Sequence, residues 1–341
     1  MSFVLELPSE TISLQDGQKI AELYDLGRLR NISGLFGGLR GRAYLVEAEK
    51  GRFVFKTYGV KFSQDQLLSS INTLQFLDKF DLKVPKVFPT KNDADMLTYQ
   101  GPKEKERGIM LSFVPGNYLM EGEVTTKSFQ QAAYEVLRLH IALKDCPDVS
   151  FEKKEDSLEK WEDILAGMDN LISGLKQSEL VKLGISRKVL ERIRLFLEKG
   201  CRELSESDFG THYQLIHGDL WKTNFIYEKG ELSVLVDFDW VGLGLIEDDW
   251  AKFLGEWMSV SVDGVGWNDC VNFVIGRARK NGAKYFLSKR QLELRTVVSL
   301  LQLAGDFLGA IIKREDPDAL SCVGRWYNER IEKIKFLIPD G

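Results

Sequence analysis

The sequence predicts an α+β protein of two lobes: a small β-rich N-terminal lobe and a larger, mostly helical C-terminal lobe. Three observations carry this expectation. The chain has 341 residues, more than the roughly 100–200 of one domain. Short apolar runs dominate before residue 114, and helical spacing dominates after it. Pro115-Gly116 then interrupts the pattern, which gives lobes of 1–114 and 115–341 with a cleft near the break.

Each element follows from local pattern. Ile12, Ile20 and Leu23 have helical spacing, which predicts a helix over Ser9–Leu26 that ends near Gly27. Ala43–Val46 and Arg52–Tyr58 read as strands joined by the polar turn Ala48-Glu49-Lys50-Gly51. Leu67, Ile71, Leu74 and Leu77 share one face of a helix over Ser63–Phe80. Pro85 starts an extended segment, and Gly108–Val114 reads as a strand. Beyond the break, helices are expected over Phe129–Leu143, Leu158–Leu175, Val189–Leu204, Asp248–Met258, Trp267–Asn281, Lys289–Lys313 and Pro317–Phe336. Tyr213–Phe238 is the exception, where two apolar runs flank Glu228-Lys229-Gly230 and read as short strands or loop–strand pieces.

Composition excludes several classes. Hydrophobic residues make up 44% and charged residues 28%, with only 8 Pro beside 30 Gly, so the chain is neither collagen-like nor wholly disordered. Lys plus Arg number 46 against 51 acids, a net charge of -5, which disfavours nucleic-acid binding through phosphates. Cys146, Cys201, Cys270 and Cys322 are scattered without a CxxC pair, and reduced thiols are expected. With three histidines, a zinc site is not expected. Met1–Pro8 contains Glu6 and lacks the basic start and apolar stretch of a signal peptide. The apolar stretch Val297–Ile312 is interrupted by Gln302 and Asp306 and falls short of a bilayer span. A soluble cytoplasmic protein with no membrane partner is expected.

The chemistry concentrates at Leu215–Ile226, which contains His217-Gly218-Asp219 and then Asn224. Asp237 follows thirteen positions later, at the end of the apolar run Val234-Leu235-Val236. An Asp and an Asn five apart, followed by an Asp ending a strand, suit metal-assisted phosphoryl transfer. One carboxylate meets the attacking hydroxyl, while an amide oxygen and a second carboxylate hold Mg²⁺ against nucleotide phosphates. Asp219 and Asn224 could instead cap turns, as Asx residues often do, but that leaves Asp237 unexplained. Upstream, Ile32–Gly41 is glycine-dense, and glycines let backbone N–H groups approach phosphate; such a segment also serves as an ordinary turn. Lys56, ending the apolar run Phe53-Val54-Phe55, would reach nucleotide phosphates or face solvent.

These motifs resemble those of the aminoglycoside phosphotransferase/choline kinase-like superfamily of small-molecule kinases, which share a bilobal protein-kinase-like fold. Ile32–Tyr44 is similar to its nucleotide-binding hairpin, Phe53–Tyr58 to its lysine strand, His217–Asn224 to its catalytic loop, and Val236–Asp239 with Asp248–Ala251 to its metal loop and next helix. The resemblance covers roughly residues 20–260. It implies Asp219 as catalytic base, Asn224 and Asp237 as Mg²⁺ ligands, and Lys56 on the α and β phosphates of ATP. It also implies backbone around Gly37, Gly38 and Gly41 over the phosphates, and Leu111, Ser112 and Phe113 as the adenine-binding hinge. His217 and Asp249 read as supports of the loop. One departure stands out: the family places on the first helix a Glu that pairs with the strand Lys, and here that position falls near Ser70. Asp65 or a shifted register would have to supply the partner, or Lys56 would stand unpaired.

The resemblance implies ATP- and Mg²⁺-dependent transfer to the hydroxyl of a small molecule: an amino alcohol, amino acid, sugar or aminoglycoside-type antibiotic. A nucleotide-binding module with little turnover is the alternative that the missing Glu suggests. His-Gly-Asp-Leu-Trp is similar to fructosamine kinases, whereas Asp237-Phe238-Asp239 is closer to homoserine-kinase-like and spore-coat-kinase-like branches. Phe238–Glu247 is too short for the peptide platform of a protein kinase. Asp248, Trp250, Glu256 and Trp257 are candidate substrate residues. Trp250 and Trp257, seven apart, share a helical face that would form either an aromatic wall for a cationic amine or part of the core.

Overall fold

The structure is a computed structural model and describes residues 12–35, 41–59, 62–100, 105–147, 151, 153–176, 186–205, 212–260, 264–281, 288–314 and 317–338. The side chains of 307–326 lie outside this description, together with those of 100, 121 and 205. The chain forms two compact units. The first comprises Met1–Tyr118, Ala142–Glu152 and Thr223–Gly242; the second comprises Leu119–Ile141, Lys153–Lys222 and Leu243–Gly341.

In the first unit, helix α1 (Leu14–Leu23) precedes strands β1 (Leu29–Leu35), β2 (Gly41–Ala48) and β3 (Gly51–Gly59). The Ser13 hydroxyl caps α1 by accepting the Asp16 N–H. Helix α2 (Gln64–Leu77) follows, then β4 (Val87–Phe88), β5 (Leu97–Gln100) and β6 (Lys105–Ser112). The sheet order is β1-β2-β3-β6-β4, with β5 also on β6, and every pair is antiparallel. Strand side chains alternate between faces. Tyr44, Val46, Phe53, Phe55 and Met110 therefore meet Ile20 and Ala21 of α1 and Tyr24, which caps it, in one core, while Lys56 and Tyr58 point to the other face of β3. Leu67, Ile71, Leu74 and Leu77 are buried on α2, as their spacing predicts.

Strands β8 (Phe225–Glu228) and β9 (Glu231–Leu235) form a hairpin in the first unit. Its turn residues Lys229 and Gly230 both have positive φ, 53° and 78°, as a tight two-residue hairpin of this twist requires. Asn117 exchanges two backbone hydrogen bonds with Tyr227, at 2.9 and 2.8 Å. Gly116 adopts φ +135°, and a Cβ there would lie 2.4 Å from the Tyr227 carbonyl oxygen. This close approach of chain to strand explains why the first unit runs past the Pro115-Gly116 break to Tyr118 and takes in the hairpin.

The second unit contains α3 (Thr126–Leu143, up to Ile141), α4 (Trp161–Ser173), α5 (Arg187–Ser205), β7 (Tyr213–Ile216) paired with β10 (Gly242–Leu245), α6 (Ile246–Trp257), α7 (Trp267–Lys280), α8 (Lys289–Arg314) and α9 (Pro317–Leu337). Helix α8 packs on α9, α6 and α4. Cys146, Cys201 and Cys270 are free thiols. Among the described residues, no helix is long and apolar enough to cross a membrane.

Three strands escape the sequence reading, β5 (Leu97–Gln100) among them. β1 lies in the segment read as a glycine-dense approach to the hairpin; it is an edge strand with burial falling on every third residue rather than every second. β10 is short and has glycine at alternate positions, so it carries little apolar signal.

Candidate active site

In the first unit, Lys56 stands at the centre of the sheet, 8% exposed. Its ammonium donates to Asp237 Oδ1 at 2.7 Å and meets Asp239 Oδ1 at 2.8 Å. Asp237 follows β9 and adopts left-handed backbone, φ 69° and ψ 65°, before the short 3₁₀ turn Phe238–Trp240. A non-glycine residue in that conformation is held there by its surroundings. The Tyr58 hydroxyl donates to Asp239 at 2.8 Å, and the Ser70 hydroxyl of α2 donates to the Phe238 carbonyl at 2.8 Å. Burial works against the Lys56 charge, but Tyr58, Asp237 and Asp239 hold its pKa well above the usual lysine value. Burial pushes the Asp239 carboxyl upward, with Lys56 opposing.

Neither arrangement expected for Lys56 occurs. Its carboxylate partners come neither from Asp65 nor from a shifted helix register, and it is not unpaired. They come from the segment after β9, because β3 turns Lys56 and Tyr58 toward that segment and α2 offers it only a serine.

Asn224, 8% exposed, precedes β8, and its carbonyl accepts the Val236 N–H at 2.9 Å. The hairpin thus returns Asp237 to the end where Asn224 sits. An amide oxygen and a carboxylate form a hard donor set of the kind Mg²⁺ prefers, with remaining positions left to phosphate and water. Leu111 pairs opposite Val54 and Val87 at the end of β6. The Ser112 hydroxyl accepts the Lys86 N–H at 3.0 Å, and the Arg52 guanidinium lies 4.5 Å from the Phe113 ring centroid. Gly37 and Gly38 lie outside the described residues. Gly41 opens β2, where a Cβ would approach the Thr57 carbonyl oxygen to 2.7 Å, so strand packing alone requires glycine there.

In the second unit, Asp219 follows β7 in a loop that Asp249 holds. One Asp249 oxygen accepts the His217 N–H at 2.9 Å and pairs with His140 Nε2 at 2.9 Å; the other accepts the Gly218 N–H at 2.8 Å. Gly218 has φ 76°, a conformation glycine reaches without strain. Burial would raise the Asp249 carboxyl, but His140, His217 and the Gly218 N–H together hold it below its usual 3.8. His217 is fully buried, and its Nδ1 accepts the Asp219 N–H at 3.2 Å, so it supports the loop. The Lys252 ammonium of α6 donates to the Gly218 carbonyl at 3.0 Å and to Asp219 Oδ1 at 3.2 Å.

The substrate residues expected on α6 are engaged elsewhere. Trp250 and Trp257 are each 1% exposed and pack on Phe253 with ring centroids 5.6 and 5.5 Å apart, so the aromatic wall is corrected to core. Glu256, 2% exposed, pairs with Arg330 at 2.5 Å. Asp248 pairs with Arg295 at 2.7 Å and accepts a hydrogen bond from the Ser157 hydroxyl. Buried charges must be paired, and these two acids answer buried arginines. Sequence reasoning missed Lys252, Tyr58 and His140; each acts through a partner distant in sequence, and none belongs to a local motif.

Comparison with known proteins shows the family to which the chain belongs. The profile described as the phosphotransferase enzyme family (APH) matches residues 31–268. Homoserine kinase of Bradyrhizobium sp. (strain ORS 278) is 23% identical over 307 residues, 86% of this chain and 87% of that protein. Homoserine kinase of Bradyrhizobium sp. (strain BTAi1) is 22% identical over 69% of this chain, and the match spans 65% of its length. An amicoumacin kinase in complex with AMP-PNP, Ca²⁺ and Ami superposes with a TM-score of 0.64 at 16% identity, covering 92% of each chain. A microcompartment-associated aminopropanol kinase superposes with a TM-score of 0.64 at 16% identity, covering 94% of this chain and 95% of that one. The chain belongs to the APH phosphotransferase enzyme family, with the kinase-like fold of an antiparallel N-terminal sheet and a helical C-terminal part. It is a small-molecule kinase.

Proposed function

We propose that the protein transfers the γ-phosphoryl group of Mg²⁺-bound ATP to the hydroxyl of a small amino alcohol or amino acid. The observation that carries this reading is the 2.7 Å contact between Lys56 and Asp237, which joins the strand lysine to the carboxylate ending β9. Lys56 contacts the α and β phosphates. Asn224 and Asp237 would hold Mg²⁺, which when bound neutralises phosphate charge. The Asp219 carboxylate accepts the proton of the acceptor hydroxyl as its oxygen bonds to the γ-phosphorus. The bond to the bridging oxygen breaks, and ADP leaves with the electron pair.

Lys252 fixes the orientation of Asp219 through their shared hydrogen bond. A cation beside the base suits an acceptor carrying a carboxylate. The names of the matched homoserine kinases and of the aminopropanol kinase support an amino acid or amino alcohol.

The test is incubation with Mg·ATP and homoserine, aminopropanol, choline, sugars and aminoglycosides, followed by phosphorus NMR. A phosphate monoester on an amino-bearing acceptor, with one ADP per ester, is expected. Transfer only to sugars, or ADP formation with inorganic phosphate alone, would contradict the reading.

A further inference from the structure

We infer that Asp239 is the positioning residue for Lys56, supplying from the segment after β9 the carboxylate that α2 lacks. The inference rests on the reading of Lys56 as a phosphate contact and adds a residue which that reading leaves without a role. Three features single out Asp239.

First, it is 7% exposed and lies 2.8 Å from the Lys56 ammonium, so it is aimed at Lys56 rather than at solvent. Second, Asp237 has another duty. A carboxylate that must turn toward a cation and phosphates is a poor sole anchor for the lysine beside it, whereas Asp239 can hold Lys56 throughout. Third, Asp239 is itself fixed, because the Tyr58 hydroxyl donates to the same Oδ1 at 2.8 Å. Lys56 and Tyr58 are two apart on β3 and share a face, so one strand presents both groups to one carboxylate. The Ser70 hydroxyl ties α2 to the Phe238 carbonyl between the two aspartates.

The functional consequence concerns α2. Where a helix carried the partner carboxylate, movement of that helix would release the lysine. Here the lysine and its partner lie on β3 and the segment after β9, so the pair forms without a carboxylate from α2.

The test uses the full chain and reads ADP affinity by calorimetry with Mg²⁺ present, which needs no identified acceptor. Failure of the functional reading therefore remains distinguishable from failure of this one. Asp239→Asn is expected to weaken Mg·ADP binding by about 10–100-fold, the loss expected when a charged partner is removed while the cation engages Asp237. With Mg·ATP it should lower kcat/KM for ATP while leaving KM for the acceptor within a few-fold. Adding Ser70→Glu should recover affinity, since a carboxylate from α2 can then face Lys56. Unchanged ADP affinity in Asp239→Asn, or equal loss in the single and double variants, would overturn the inference. If Asp239→Asn does not fold, Tyr58→Phe removes only the phenolic hydrogen bond and is expected to weaken ADP binding by about 3–10-fold; unchanged affinity there would likewise overturn it.

Discussion

Replacing Asp249 by asparagine probes how the second unit holds its catalytic loop. The native carboxylate, 1% exposed, takes three hydrogen bonds, from His140 Nε2 and from the N–H groups of His217 and Gly218, at 2.8–2.9 Å. Asparagine offers one acceptor oxygen and an NH₂, so at least one donor is left facing another donor. Hydrogen bonds to charged groups contribute about 1.5–3 kcal/mol and neutral ones about 0.5–1.5, while a stranded buried donor costs about 1–3. With two bonds weakened from charged to neutral and one donor stranded, the loss is about 3–6 kcal/mol, against a total stability of about 5–15. Urea unfolding followed by tryptophan fluorescence measures it. The direction with pH also follows. A carboxyl held below its unfolded value of 3.8 stabilises the fold above that pH. The contribution is lost as pH falls through the lower folded value. The gap between wild type and Asp249→Asn should therefore be full near neutrality and shrink below about pH 3.8. A gap under about 0.5 kcal/mol at pH 7, within the range of ordinary surface substitutions, or one that widens on acidification, would refute the reasoning.

Three further outcomes follow. Arg295→Met should lower unfolding free energy by about 3–5 kcal/mol, because it strands the Asp156 and Asp248 carboxylates, 2.6 and 2.7 Å from a guanidinium whose side chain is 2% exposed. Lys252→Met should cut kcat/KM for a carboxylate-bearing acceptor by about 10-fold or more, the worth of one charge-assisted hydrogen bond, and for a neutral amino alcohol by less; steady-state kinetics on both acceptors checks this. Burial pushes the Cys270 thiol up to about 12, so at pH 8 its alkylation in the folded protein, followed by mass spectrometry, should lag far behind that in urea.

Much of the fold was legible because its signals are local. The face Leu67, Ile71, Leu74 and Leu77 marks α2, and Lys229-Gly230 marks the β8–β9 turn. His217, Asp219 and Asn224 lie within eight residues, so a single loop carries their spacing. What stayed hidden depends on long-range pairing. Lys56 and Asp239 are 183 positions apart, and only the direction in which β3 turns its side chains joins them. Likewise, the seven-residue spacing of Trp250 and Trp257 fixes a shared face but not what that face meets; in the fold it meets the core. Asp248 and Glu256 read as available acids because Arg295 and Arg330, their partners, are distant in sequence.

The central claim is transfer of a phosphoryl group with Asp219 as the base, and the most direct measurement is single-turnover transfer by Asp219→Asn beside calorimetric Mg·ATP binding. The account predicts transfer slowed by about 10²–10⁴-fold, the usual contribution of a positioned base, with nucleotide affinity within a few-fold of wild type. Transfer at the wild-type rate would contradict it.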